Sequence, residues 1–242
     1  MLLFVLQNIA FASSGAEGSD FTLMSMWTSS GFIAKSVIIM LLIMLFWSIL
    51  VTIERTIAFN RARSQSMRLA AEVVKPLQER DLKRALTLIS DEQYTSSYLG
   101  SLLEAGLTEL TDRFDAVGLE NATRAVQKAT HEEIAKMRRG MTILATVGST
   151  APFVGLFGTT FGVINAFAAM GDGTGGLSEI SVGIAEALIT TGVGIGVAVL
   201  GVWMFNYFTL RTDKVRDELE SSEADFLSWA TKLLQTDAAE GK

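Results

Sequence analysis

Glu186 is an ionisable residue inside an apolar stretch, and a carboxylate in such a place is a candidate for ion transfer. It precedes residues 187–210, which carry no charge, and residues 140–171 form a second uncharged stretch. Thr159 and Thr191 add a hydroxyl group to each stretch. Counted at about 1.5 Å per residue from the turn between the stretches, Thr159 lies roughly 16 Å deep, Thr191 roughly 19 Å and Glu186 roughly 12 Å. The two threonines therefore share a level, and with Glu186 they could line a pore or a proton path.

Two further threonines stand beside these hydroxyl groups. The candidate pore-lining residues are therefore Thr159, Thr160, Glu186, Thr190 and Thr191. A threonine in an apolar helix often does no more than bond to the carbonyl group one turn back. Glu186 could likewise be a structural acid that is hydrogen-bonded to a neighbouring helix, rather than a group in a water-filled path. The residues alone leave both alternatives open.

Small residues recur on one face of each uncharged stretch, at helical spacing. The first stripe joins Gly148, Ala151 or Pro152, Gly155, Thr159, Gly162 and Ala166, and the second joins Gly183, Glu186, Thr190 and Gly194. Glycines four residues apart favour close packing between membrane helices. The residues assigned to packing or to a helix bend are Pro152, Gly155, Gly158, Gly162, Gly183, Gly192 and Gly196.

The remaining candidates for chemistry are weak. His131 lies on a charged segment beside Glu132 and Glu133, where a solvated surface residue is a better interpretation than a proton relay. The glycine-rich run GDGTGG (171–176) lacks the Lys-Ser/Thr pair that follows in a phosphate-binding loop. The chain has no cysteine and a net charge of -6, which excludes disulfides and argues against nucleic acid. With no metal-ligand cluster or nucleophile–base pair in the sequence, we expect neither an enzyme nor a cofactor.

The elements that position these residues are predicted to be membrane helices, because roughly 20 apolar residues cross a bilayer. With 49% hydrophobic residues and two prolines, the chain is predicted to be an all-α membrane protein with three transmembrane helices extended into a cytoplasmic helical domain. The predicted segments are an N-terminal periplasmic or interfacial segment 1–31, a first span 32–54, a cytoplasmic helical domain 55–140, a second span 141–170, a periplasmic turn 171–178, a third span 179–210 and a cytoplasmic C-terminal helix 211–242. We expect the N-terminal segment to be retained, because it lacks a basic n-region.

Basic residues predict the orientation of the three spans. They cluster after the first span, before the second and after the third, whereas the 171–178 turn has none. The positive-inside rule then places the N-terminus and the turn outside and the C-terminus inside. Apolar residues at three- and four-residue spacing predict helices between the first two spans, and one helix is expected to run from about Asp115 into the second span without a break. The C-terminal helix has an apolar face that includes Val215, Leu219 and Phe226, which favours self-association.

Two motifs in the uncharged stretches resemble the signature helices of a known family. LATVGSTAPFVGLFGTTFGVINAF (144–167) and GIAEALITTGVGIGVAV (183–199) are similar to those of the TolQ/ExbB/MotA proton-channel family, TolQ and ExbB most closely. The similarity in sequence covers the last two spans, and the similarity in layout covers nearly the whole chain. Carried over by motif, Thr159 and Thr191 match the family's pore threonines and Glu186 matches its glutamate.

This sequence departs from the family's pattern at several positions but keeps the two threonines and the glutamate. Thr160 stands where valine is usual, Thr190 where alanine is common, and Val182 where a proline usually precedes GIAEAL. A proline common later in the third span is also missing.

The resemblance implies a homopentamer in the bacterial inner membrane that encloses a dimeric single-span partner of the TolR/ExbD kind. An aspartate of that partner would gain and then lose a proton as protons, the coupling ion, pass through the complex. A TonB/TolA-like or motility protein would receive the resulting force.

The leading hypothesis is therefore a proton-channel stator subunit that powers Tol-Pal integrity or TonB-dependent transport. One alternative is the stator of a surface or gliding motility motor. Another, from a different class, is a non-conducting membrane scaffold whose small-residue stripes only pack helices. A small secondary transporter is disfavoured, because the three spans contain no internal repeat.

Overall fold

The computed structural model describes residues 31–171 and 176–240, and all regular structure within those ranges is helical. The helices are α1 (Phe32–Gln78), α2 (Leu82–Ile89), α3 (Tyr98–Asp112), α4 (Ala116–Arg138), α5 (Met141–Gly171) and α6 (Leu177–Glu240), with a 3-10 turn at Glu92–Tyr94. The predicted all-α fold is confirmed. The predicted N-terminal segment, apart from its last residue, and the centre of the 171–178 turn lie outside the described residues.

Three of these helices are long and apolar enough to cross a membrane. The qualifying ranges are Phe32–Gln78, Met141–Ala168 and Ile180–Asp237, which lie in α1, α5 and α6. In the 18-residue apolar stretch of each helix, 22%, 39% and 28% of the residues are buried within the chain. Most residues of these stretches are therefore not covered by the chain itself and are left to contact lipid or other subunits. The direction in which the helices cross remains a prediction.

The chain divides into two compact units. Of the described residues, those in 31–43 and 151–196 form the first, and those in 44–150 and 197–240 form the second. The first unit holds the candidate threonines and Glu186, and the second holds α2, α3 and α4.

In the first unit, α5 and α6 approach each other along their small-residue stripes. A Cβ atom added at Gly194 would lie 2.7 Å from the Ala151 carbonyl oxygen, and one added at Gly162 would lie 2.7 Å from the Ala187 Cβ atom. Ordinary carbon contacts are longer than this, so only glycine permits these backbones to come so close. The two predicted stripes therefore face each other.

The second unit has an apolar core to which all six helices contribute buried residues. Leu102, Leu107 and Val126 are fully buried. Gly106 allows close packing, because a Cβ atom there would lie 2.4 Å from the Phe226 ring. The N-terminus of α4 is capped by Asp115, whose side chain accepts a hydrogen bond of 2.8 Å from the Gly118 amide.

The apolar face of the C-terminal part of α6 belongs to this core. Val215, Leu219 and Phe226 are buried by the chain's own helices. The second unit covers this face, so the face itself does not favour self-association, which stays a prediction for the chain.

The helix that begins near Asp115 does not run into the second span without a break. α4 ends at Arg138, α5 begins at Met141, and Gly140 adopts a left-handed φ of +78°. That backbone conformation ends a right-handed helix and is accessible to glycine without steric cost. On the α4 side of the break, the Arg55 guanidinium donates a hydrogen bond of 3.2 Å to the Lys136 carbonyl oxygen.

Candidate functional site

Thr159 of α5 and Thr191 of α6 meet at the centre of the contact between the two helices. Their hydroxyl oxygens are hydrogen-bonded to each other, which confirms that the two residues lie at one level. The Thr159 hydroxyl is also 3.2 Å from the carbonyl oxygens of Gly155, one turn back in α5, and of Ala187 in α6. Both threonines are partly exposed. The pair thus links the two helices while both side chains remain partly exposed.

Thr190, another of the predicted pore-lining residues, is less exposed than Thr159 and Thr191. Its side chain is fully buried, and its hydroxyl donates to the Ala187 carbonyl at 2.7 Å and lies 3.2 Å from that of Gly155. Thr190 therefore stabilises the α5–α6 contact, and its assignment as a pore-lining residue stays a prediction.

Glu186 lies one helical turn before Thr190, in the first unit. Its side chain is half-buried, and its Oε1 atom is enclosed without a hydrogen-bond partner among the described residues. An enclosed carboxylate oxygen without a partner costs free energy, so such a group is expected to gain one from water or another subunit. One of the two alternatives for Glu186 is a structural acid that is hydrogen-bonded to a neighbouring helix. The Oε1 atom does not support it within this chain, because this atom has no such bond among the described residues.

The predicted packing residues divide into two sets. Cβ atoms added at Gly155, Gly158, Gly162 and Gly183 would lie 2.7 to 2.9 Å from their nearest neighbours, so these four glycines permit the helix contacts. Gly192 and Gly196 have no heavy atom within 4 Å of an added Cβ. These two do not pack within this chain, and the close approach on α6 is made by Gly194 instead. α5 continues through Pro152 as one helix.

Thr160, the last of the predicted pore-lining residues, is exposed. Its hydroxyl donates to the Leu156 carbonyl oxygen at 2.9 Å, within its own helix. Among the described residues, the Thr160 hydroxyl has no hydrogen bond to α6, whereas the Thr159 hydroxyl has two.

Two contributors to the site were not among the predicted residues. Ala187 supplies the carbonyl oxygen shared by Thr159 and Thr190. Val37 of α1 packs near the same place, because a Cβ atom at Gly158 would lie 3.0 Å from its Cγ1 atom. The position of Ala187 one turn before Thr191 could have indicated the first. No pattern in the sequence places α1 beside Gly158.

The long apolar helices and the hydroxyl pair between two of them define a helical membrane protein with polar groups inside its spans. Among the described residues, no group of three or more His, Cys, Asp or Glu side chains could hold a metal ion. The model of the MotA/TolQ/ExbB proton channel family matches residues 94–221, which is more than half of the chain. The chain belongs to this family, as its motifs predicted.

Individual relatives carry names from two branches of the family. The chain is 43% identical over 91 residues to the biopolymer transport protein ExbB of Xanthomonas campestris pv. campestris (strain B100), a match that covers 37% of this chain and 36% of that protein. It is 32% identical over 165 residues to the Tol-Pal system protein TolQ of Pseudomonas aeruginosa, covering 62% of this chain and 71% of TolQ. It is 36% identical over 104 residues to ExbB of Salmonella typhimurium, covering 43% of each chain.

Proposed function

We propose that this chain is a proton-channel subunit of an inner-membrane motor driven by the proton-motive force. The observation that carries the proposal is the hydrogen-bonded pair of Thr159 and Thr191 between two apolar helices. Membership of the proton-channel family supports it. Thr160, exposed on α5, is a weaker candidate for the same pathway.

The hydroxyl pair is suited to a carboxyl group that alternates between its protonated and ionised forms. Each hydroxyl has one proton to donate and two lone pairs that accept. When Thr159 donates to a carbonyl oxygen, Thr191 donates to Thr159, and the Thr191 lone pairs are left to accept from a protonated carboxyl group. When Thr159 donates to Thr191 instead, the Thr191 proton is left to bond an ionised carboxylate. The pair can therefore serve both forms by rotating two hydroxyl groups, with no movement of the backbone.

Glu186 has a separate role in this proposal. Its enclosed Oε1 atom would receive a hydrogen bond from water or from an adjoining subunit after assembly. Because Glu186 lies one and a half turns before Thr191 on α6, it would hold water at one end of the pathway rather than at the hydroxyl pair itself.

The partner carboxyl group would come from another chain. We propose a homopentamer around a dimeric single-span protein of the TolR/ExbD kind, with an aspartate in its span that meets the hydroxyl pair. The relatives' names include both biopolymer transport and the Tol-Pal system, so the energised process would be TonB-dependent transport or Tol-Pal function.

The test replaces each hydroxyl of the pair by a methyl group. Thr159→Val and Thr191→Val are each expected to lower proton flux through the assembled complex by tenfold or more, since a hydrogen bond to a charged group contributes about 1.5–3 kcal/mol. Flux is measured in proteoliposomes with a pH-sensitive dye. Thr150→Val is the matched control, because Thr150 is not a candidate pore residue and its hydroxyl bonds only within α5. Flux equal to that of the control in both variants would refute the assigned roles.

The scaffold alternative gains one observation, because the small-residue stripes do pack α5 against α6. It predicts that Glu186→Ala lowers the stability of the assembly and that no variant changes proton flux. The channel proposal predicts the opposite: flux falls in Glu186→Ala while the oligomer is still recovered. A motility stator would behave like the leading proposal in this assay and is distinguished by the process lost in a deletion strain.

A further inference from the structure

A small cavity lies between α1 and α6 at the basic ends of their apolar parts. It has a volume of about 290 Å³, and Arg63, Arg211 and Lys214 contribute to its lining together with Phe59, Tyr207 and Glu218. All of these residues belong to the second unit. Three cationic groups thus surround a space that contains one carboxylate.

The cationic groups are available to a ligand. Among the described residues, neither Arg63 nor Lys214 takes part in an ion pair. Arg211 is held in place by neutral groups, since it donates a hydrogen bond of 3.0 Å to the Asn60 side chain and lies 5.0 Å from the centre of the Tyr207 ring. The one carboxylate, Glu218, already accepts a hydrogen bond from the Tyr98 hydroxyl. The cavity therefore has an excess of positive charge and favours an anion.

The surface next to the cavity is apolar on both helices. On α6, Trp203, Tyr207 and Leu210 are 68%, 47% and 65% exposed, and their three- and four-residue spacing places them on one face that leads to Lys214. On α1, Ile53 and Ile57 are 53% and 62% exposed. Tryptophan and tyrosine are enriched where a span meets the membrane surface. A free anion would use the cationic groups alone, whereas this arrangement continues from them onto a surface that suits acyl chains.

We propose that the cavity binds the phosphate headgroup of an anionic phospholipid, with the acyl chains lying along the exposed faces of α1 and α6. Basic pockets between membrane helices are a known way to bind such headgroups. The size of the cavity fits a headgroup rather than a whole lipid, because cavities for drug-sized ligands start at about 300 Å³. The proposal requires only that α1 and α6 lie in a bilayer, so it does not depend on proton conduction.

The test measures lipid binding to the delipidated full-length chain by native mass spectrometry. Phosphatidylglycerol is compared with phosphatidylcholine of the same acyl chains. The variant is Arg63→Gln with Lys214→Gln, and the control is Arg61→Gln with Arg139→Gln, which removes two exposed charges outside the cavity. At about fivefold per basic residue, phosphatidylglycerol binding is expected to weaken roughly 25-fold in the variant and to stay within about twofold in the control.

Several results would overturn the proposal. They are equal binding of the two lipids to the unmodified chain, unchanged phosphatidylglycerol binding in the variant, and an equal loss in the control. Displacement of the lipid by inorganic phosphate or glycerol 1-phosphate at the lipid's own concentration would mean that the cavity takes a soluble anion instead.

A second measurement on the unmodified chain serves if the variant does not fold. Phosphatidylglycerol with a photoreactive group next to its glycerol backbone should label the segment that contains Tyr207 and Leu210. Labelling spread evenly over the apolar parts of α1, α5 and α6 would overturn the proposal.

Discussion

Substitution of Gly155 by alanine should separate α5 from α6 at the hydroxyl pair. The added Cβ would lie 2.8 Å from the Thr190 carbonyl oxygen and 3.0 Å from the Thr191 Cα atom. Both neighbours are backbone atoms, so no side-chain rotation can relieve the contact. Because ordinary contact begins at 3.4 Å, the helices must move apart by about 0.6 Å at this point.

A shift of that size exceeds the tolerance of the interhelical hydrogen bonds. The bond between the Thr190 hydroxyl and the Gly155 carbonyl is already 3.2 Å long, as is the bond between Thr159 and the Ala187 carbonyl. Each lost bond costs about 0.5–1.5 kcal/mol, and overpacking costs about 1–3 kcal/mol. The better helix propensity of alanine offsets about 1 kcal/mol. With both bonds lost, the net loss in the free energy of unfolding is therefore about 3 kcal/mol.

The matched control is Gly192→Ala, because no heavy atom lies within 4 Å of a Cβ added there. The free energy of unfolding is measured for both variants in detergent by titration with denaturant, and proton flux is measured in proteoliposomes. Gly155→Ala should be less stable than the control and should conduct less, since the hydroxyl pair is pulled apart. Equal stability of the two variants would refute the packing explanation, and normal flux in a destabilised Gly155→Ala would refute the role of the pair.

Three further predictions concern the second unit. Gly140→Ala should lower the free energy of unfolding by about 1 kcal/mol because φ is +78° there, and Gly140→Asn should lower it less. Equal losses for the two variants in denaturant titrations would contradict the backbone explanation. Burial and the hydrogen bond to Glu218 raise the pKa of Tyr98 above its usual 10.0, so the contribution of Tyr98 to the free energy of unfolding is complete below pH 10.0 and declines above it. Tyr98→Phe should flatten that decline when unfolding is measured against pH, and an unchanged slope would contradict this. The hydrogen bond from the Gly118 amide lowers the pKa of Asp115 below 3.8, so the contribution of Asp115 to the free energy of unfolding is present above pH 3.8 and is lost as the pH falls through the lowered pKa. Asp115→Asn should lessen this loss in acid unfolding, and an acid profile identical to that of the unmodified chain would contradict it.

Much of the candidate site could be predicted by counting residues. The shared level of Thr159 and Thr191 follows from the fixed rise of an α-helix on both sides of a short turn. The facing stripes follow from helical periodicity, because glycines three or four residues apart lie on one side. Thr190 could not be placed in this way. It is adjacent to Thr191 in sequence, and a rotation of about 100° around the helix separates a buried side chain from one that can be reached.

The same limit applies to Gly192 and Gly196. Their spacing is that of a packing motif, but Gly194 and not either of them meets α5. A spacing motif defines a face of one helix and does not say which face a neighbour occupies. That depends on the rotation of α6 about its axis, which is set by contacts with α5.

By itself, the sequence determined that the chain is helical, which helices are long and apolar enough to cross a membrane, and which family it belongs to. These properties depend on hydrophobicity and on local motifs, which act over a few turns of one helix. Only the tertiary structure decided that Thr190 is enclosed, that the Glu186 Oε1 atom lacks a partner among the described residues, and that the apolar face of α6 is covered by the second unit. Each of these depends on atoms far apart in the chain, and no periodicity within one segment records their approach.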